Sequence, residues 1–223
     1  KEIYFINIQS RCKSGFFLFK IMGIKVAIQG IQGSFHHQVA HHYFGEAIGL
    51  DECVTFRDVV TSLKTNQSDK AIMALENSIA GSILPNYALI DSNDLHIIGE
   101  YFLDIHMNLM VFPGQTIEEI QEVHSHPIAL LQCANFFSQY PHIKLVESSD
   151  TAITAKRIQE NQLRGIGALA GPVASEIYNL EIIADGIHTV KSNKTRFVVL
   201  KASNKEIPKE LINNHITMST LGS

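Results

Sequence analysis

Short apolar runs alternating with amphipathic segments constrain this chain more than any other feature of it. "IKVAIQ" (24–29), "AIMAL" (71–75), "IGALA" (166–170) and "LEIIA" (180–184) are too short for helices. They are also too evenly apolar for strands with one wet face, and segments with helical spacing lie between them. That combination predicts parallel strands in sheets covered on both sides. The expected order from residue 24 is strand 24–29, helix 35–47, strand 53–56, helix 57–66 and strand 71–75. "LHIIGEYFLDIHMNLMVF" (95–112) then reads as an extended crossover from one lobe to another. Beyond it come helices at 116–123 and 128–140, strand 143–146, helix 152–161, strand 166–170, helix 172–179 and strand 180–184. A last strand, 195–202, returns at the end. Two αβ series joined by a crossover predict an α/β protein of two lobes with a central cleft.

Composition narrows the partners. With 45% apolar and 18% charged residues the chain is globular rather than disordered, and its 223 residues can bury two cores. A net charge of −4 gives no electrostatic basis for binding nucleic acid or an acidic membrane. Cys12, Cys53 and Cys133 form no CxxC pair, which argues against a zinc or disulfide framework and for a reducing, cytoplasmic setting. The greasy stretch before residue 30 is broken by Lys20 and Lys25, too short and too charged to span a bilayer, and has no secretory cleavage pattern. Residues 1–22 read as a leader or upstream read-through outside the fold.

Polar clusters fall where the expected strands end: "GIQGS", "ENS", "SHP" and "SSDT". In open α/β sheets ligands bind outside the carboxyl ends of the strands, and the helices that follow present free N–H groups to anions. The pattern predicts a cleft for a small polycarboxylate or phosphate. Each cluster also has a plainer reading. Ser34, Ser78 and Thr151 are all credible helix N-caps. "GIQGS" is a GxxG loop that lacks the downstream partners of a dinucleotide site. His36, His37, His41 and His42 crowd one segment, and His37 and His41 share a helical face. No third ligand accompanies them, so no metal is expected. Cys133 lies on an apolar helix and reads as core.

Taken in order, "GIQGSF", "ENSIAGS", "HSHPIALLQC", "DTAITA" and "NKTRFVVL" resemble the successive motifs of prephenate dehydratases, from Val26 to Leu200. The resemblance implies a type II periplasmic-binding-protein-like fold, two α/β lobes around a cleft. It implies a catalytic domain over 23–202, with lobe 1 at about 23–101 plus 188–202 and lobe 2 at about 102–187. The implied activity is decarboxylative dehydration of prephenate to phenylpyruvate in phenylalanine synthesis, without metal or organic cofactor. By the same likeness Thr195 assists the leaving hydroxyl, with Asn77, Glu76 and Ser78 as catalytic partners. Arg196 would clamp the side-chain carboxylate and Phe197 lie against the ring. Ser125, Gln132 and Thr151 would line the cleft from the second lobe, and Ser34 and Gly33 from the first.

Two close alternatives share this likeness: an arogenate dehydratase, and a non-catalytic small-anion-binding module of the same fold. Ile128 and Met107 depart from the family pattern of glutamine and histidine, and are expected to alter cleft shape or substrate preference. Relatives imply a homodimer or homotetramer. They also carry a phenylalanine-binding ACT domain, of which residues 203–223 supply at most a first strand, so no phenylalanine feedback is expected from this polypeptide alone.

Overall fold

The computed structural model describes residues 23–203. The expected leader and most of the expected tail lie outside the described residues. The first lobe contains β1 (Lys25–Gln29), α1 (Phe35–Phe44), β2 (Gly49–Cys53), α2 (Phe56–Lys64), β3 (Lys70–Asn77), β4 (Gly81–Ser82), α3 (Leu84–Ser92) and β5 (Leu95–Asp104). The second contains β6 (Asn108–Val111), β7 (Glu122–Ser125), α4 (Pro127–Gln132), α5 (Ala134–Phe137), β8 (Lys144–Glu147), α6 (Thr151–Asn161), β9 (Ile166–Ala170), α7 (Pro172–Tyr178) and β10 (Glu181–Ala184). The chain then returns to the first lobe as β11 (Lys194–Ala202).

Two sheets result. The first has the order β2-β1-β3-β11-β5, with β4 paired to β3, and the second has the order β10-β6-β9-β7-β8. The apolar runs explain why the first sheet is covered on both sides. Along β3, Ile72 and Ala74 join one core while Ala71, Met73 and Leu75 join another. β11 divides the same way, Phe197 and Val199 to the first core and Val198 and Leu200 to the second. The first of these cores continues into the second lobe through Leu109, Val111 and Val123.

The architecture is therefore the two-lobed α/β arrangement that the sequence predicts, but the sheets are mixed rather than parallel. β11 comes back from the second lobe and so runs antiparallel to both β3 and β5. β6 is antiparallel to β9 and β10 for the same reason of chain direction.

Four local expectations are corrected. The strand expected at 53–56 lies at Gly49–Cys53, because Thr55 and Asp58 form a capping box that starts α2. The helix expected at 116–123 is a single 3₁₀ turn, Ile117–Glu119, followed by β7. Val123 of that segment is buried between two parallel neighbours, β8 and β9, and strand pairing outweighs the helical spacing. The helix expected at 128–140 breaks at Cys133, where ψ rises to 5°. Helix α3 had no counterpart in the sequence reading. It starts on Pro85 in its first turn, and Asn86 ties it to the sheet by donating to the Ala74 carbonyl at 2.8 Å.

Candidate active site

A cavity of about 680 Å³ opens between the lobes. Its first-lobe wall is made where β3 ends beside the start of β11, with Asn77 opposite Thr195. Just before that point the ladder slips. Glu76 pairs with Arg196, but the next residue of β11, Phe197, pairs with Ala74, so Leu75 is an extra residue in β3. Such a bulge re-aims side chains. Here it allows Ala74 and Asn77, three positions apart, both to line the cavity with Thr195 and Phe197.

Asn77 is held in one orientation. Its Oδ1 accepts from the backbone N–H groups of Ile79 (3.0 Å) and Ala80 (2.9 Å), so its Nδ2 must face the other way. That nitrogen donates to Thr195 Oγ1 at 2.9 Å and to Asn193 Oδ1 at 2.7 Å. Thr195 is therefore an acceptor on its inner side. Its own proton has no acceptor among the described residues and is left for the cavity.

Asn193 is a residue that the sequence reading missed. It is fully buried, and its Nδ2 donates to Gln132 Oε1 of the second lobe at 3.0 Å. One amide thus bridges Asn77 on one wall to Gln132 on the other. The available signal was modest, a single Asn two residues ahead of "TRF".

The remaining expected residues divide into two groups. Ser34, Gln132, Thr151 and Phe197 line the cavity. Ser34 also caps α1, accepting from His37 N at 3.2 Å. Thr151 does not cap α6; Asp150 does, accepting from Ala152 N at 2.7 Å. Met107 and Ile128, the two departures from the family pattern, are cavity residues as well.

Outside the cavity lining are Glu76, Arg196, Ser78, Ser125 and Gly33. Alternation along β11 turns Arg196 away from the face that carries Thr195 and Phe197. Its Nε donates to Glu100 at 3.0 Å and its Nη1 lies 3.4 Å from Glu76, which also receives the Tyr87 hydroxyl. Burial lowers the Arg196 pKa, but the bond to Glu100 and the charges of Glu100 and Glu76 outweigh it and raise the value overall. Ser78 caps no helix. Its hydroxyl accepts from Lys194 N at 2.9 Å and donates to Ser192 O at 3.2 Å, pinning the ENS loop to the returning chain. Ser125 is fully buried and donates to Leu169 O at 2.6 Å. Gly33 has φ of +88°, and a Cβ there would lie 3.1 to 3.3 Å from Tyr178 and Ala174 of α7, so it is a point where the lobes touch.

No lysine or arginine is among the residues that line the cavity. Helix N-termini supply positive potential instead, since the caps of α1, α2, α3, α4 and α6 (Ser34, Thr55, Ile83, His126 and Asp150) all line it, the Asp150 carboxyl offsetting the last. Burial raises the Asp150 pKa, opposed by the N–H groups of Ala152 and Ile153. Burial pushes the His36 imidazole down to about 4, so it is neutral near pH 7. His37 and His41 meet edge to face with ring centroids 4.5 Å apart. Among the described residues no group of three or more His, Cys, Asp or Glu could hold a metal ion, and no helix is long and apolar enough to cross a membrane.

Comparison with known proteins bears directly on this site. A family model described as prephenate dehydratase matches residues 26–205. The chain belongs to the prephenate dehydratase family. Among its relatives, the bifunctional chorismate mutase/prephenate dehydratase of Buchnera aphidicola (subsp. Acyrthosiphon pisum) is 31% identical over 207 residues, which is 91% of this chain and 54% of that protein. Arogenate dehydratase 1 of Petunia hybrida is 37% identical over 180 residues, 79% of this chain and 42% of that protein. The chain thus spans about half the length of the curated relatives it matches. In fold it is similar to the prephenate dehydratase of Arthrobacter aurescens solved with L-Phe, at a TM-score of 0.74 and 23% identity, covering 83% of this chain and 62% of that one. Every dehydratase-family motif quoted from the sequence falls within the matched span.

Proposed function

We propose that this chain is a carbon–oxygen lyase that converts prephenate to phenylpyruvate, carbon dioxide and water. One observation carries the reading: the fixed Asn77 amide donates to Thr195 Oγ1 at 2.9 Å on a cavity wall, which leaves the threonine proton to point at a ligand. In the reaction the bond from the ring to its carboxylate breaks and the electron pair enters the ring. The opposite carbon–oxygen bond then releases its pair to the departing hydroxide, and aromaticity drives both events. What the leaving oxygen requires is a hydrogen bond placed in advance, which Thr195 supplies as a donor rather than as a strong acid. The hydroxide takes up one proton from the solvent's acid pool and leaves as water, which balances the charge of the reaction.

The cavity's charge suits the other half of the chemistry. A cation against the leaving carboxylate would stabilise the ground state and slow the loss of carbon dioxide. The wall offers helix N-termini, neutral amides and hydroxyls instead, while Arg196 is engaged by Glu76 and Glu100. In this reading Glu76 and Arg196 buttress the strand ends and Asn77, Thr195, Gln132 and Thr151 meet the substrate. Phe197 offers an apolar surface to the ring.

The assay is incubation with prephenate while phenylpyruvate absorbance is followed, with arogenate in parallel. Turnover of prephenate supports the assignment. Turnover of arogenate alone would move it to the amine-bearing substrate, and Asp150, the acidic residue of the cavity lining, would be its natural partner. Binding of either acid without turnover would favour the anion-binding module.

A further inference from the structure

The histidines of α1 carry no metal constellation, yet His36 stands apart from the other three. His36 lines the cavity, whereas His37, His41 and His42 do not. Its ring meets Phe197 edge-on with centroids 5.0 Å apart, and Phe56 at 5.5 Å. Its Nε2 is wholly enclosed and has no hydrogen-bond partner. Its Nδ1 is not among the enclosed unpartnered atoms and has no hydrogen bond to a described residue, so of the two ring nitrogens it is the one a ligand in the cavity can meet.

Burying a polar ring nitrogen without a partner is costly, and phenylalanine or leucine would fill the same space without that cost. A ligand cannot reach the enclosed Nε2, so what explains an imidazole here in place of an apolar side chain is a use for its other nitrogen. We propose that His36 is a substrate-contacting residue of this cleft, its Nδ1 hydrogen-bonding the bound acid while its ring extends the Phe56 and Phe197 surface that receives the six-membered ring. The placement is specific. His36 is in the first turn of α1, directly after the cap Ser34 and Phe35, so its side chain sits beside the free N–H groups of that turn. A carboxylate or hydroxyl drawn to those groups comes within reach of the imidazole.

The neutrality of the ring adds to the argument. Burial holds its pKa at about 4, so the contact supplies a hydrogen bond without adding a cation beside a carboxylate that has to leave. A lysine or arginine at position 36 would not do this. The sequence reading set all four histidines aside together because only their spacing was visible. The structure separates them by the direction each one faces.

This inference rests on the dehydratase reading, and the test keeps the two apart. Wild type, His36→Phe and His36→Asn are assayed with prephenate, with thermal unfolding measured alongside. Asparagine places a polar atom near the Nδ1 position, whereas phenylalanine keeps the apolar surface and loses the bond. The expected result is a loss of kcat/KM of about tenfold in His36→Phe, the weight of one hydrogen bond, and recovery to within about threefold of wild type in His36→Asn. Equal kcat/KM in wild type and His36→Phe would overturn the contact while leaving the dehydratase reading intact. Wild type that does not turn over prephenate would take both down.

A second measurement needs no variant. In wild-type protein, the His36 ring nitrogen resonances should shift when phenylpyruvate is added, together with the Asn77 side-chain amide. A shift at Asn77 with none at His36 would also overturn the proposal.

Discussion

In the proposed reaction Thr195 is the residue that meets the leaving oxygen, and its surroundings set what its loss should do. Thr195→Val keeps the shape but removes the donor, so kcat should fall by about 10²–10³-fold with KM little changed. Steady-state kinetics on prephenate check this, and near-normal turnover would remove Thr195 from the leaving-group role. His36 gives a second expectation at this scale, in stability. Its folded pKa, about 4, lies below the ordinary histidine value, so the unfolded chain binds more protons between the two. The contribution is present above pH 6.5 and is lost as pH falls toward 4. The span corresponds to roughly 3 kcal/mol at full effect. Denaturant unfolding at pH 7 and pH 4.5 should show His36→Phe losing less stability on acidification than wild type. Asp150 works in the opposite direction, because its raised pKa favours the folded state at low pH, and the comparison between variants cancels its effect. Much of this scale was legible beforehand. Asn77 and Thr195 fall in motifs quoted from the sequence, and alternation in "TRF" already sets Arg196 opposite Thr195, whereas the carboxylates that Arg196 meets there could not be read.

At the scale of an element, the bulge in β3 decides which residues of that strand reach the cavity. A period of two predicts that Ala74 and Glu76 share a face, and Leu75 as an extra residue breaks the count. The apolar run "AIMAL" marks the strand but carries no sign of the slip. The capping box of Thr55 and Asp58 was equally readable in retrospect, but the adjacent "CVTF" has the composition of a strand. Arg196 follows instead from plain alternation along β11. Since it joins β3, β5 and the Glu76–Tyr87 pair rather than the cavity, Arg196→Ala should lower stability by about 1 kcal/mol and leave KM within about threefold. Chemical denaturation and kinetics on the same preparation test both halves. A rise in KM of tenfold with unchanged stability would return the arginine to the substrate.

At the scale of the whole molecule, the two lobes share a hydrophobic core and are tied further by polar contacts and close packings. Tyr178 of α7 donates to the Gln32 carbonyl at 2.7 Å, beside Gly33. Phe35 packs so closely on Gly171 that a Cβ there would lie 2.7 Å from its ring. Tyr178→Phe removes one lobe-to-lobe bond of about 1 kcal/mol and should raise KM about fivefold with kcat unchanged. A larger radius of gyration in small-angle scattering of the unliganded variant should accompany it. The two-lobed plan itself was legible from the apolar runs and the late returning strand. The contacts between lobes were not, since Gln32 and Tyr178 are separated by most of the fold and nothing in their local sequence pairs them.

Asn193 gives this plan a mechanical meaning. Because one buried amide is held by Asn77 on one side and Gln132 on the other, swinging the lobes apart pulls on the group that aims Thr195. Under the proposed dehydratase reading, parting the lobes costs this shared amide a partner, so the readiness of the Thr195 hydroxyl is expected to depend on closure.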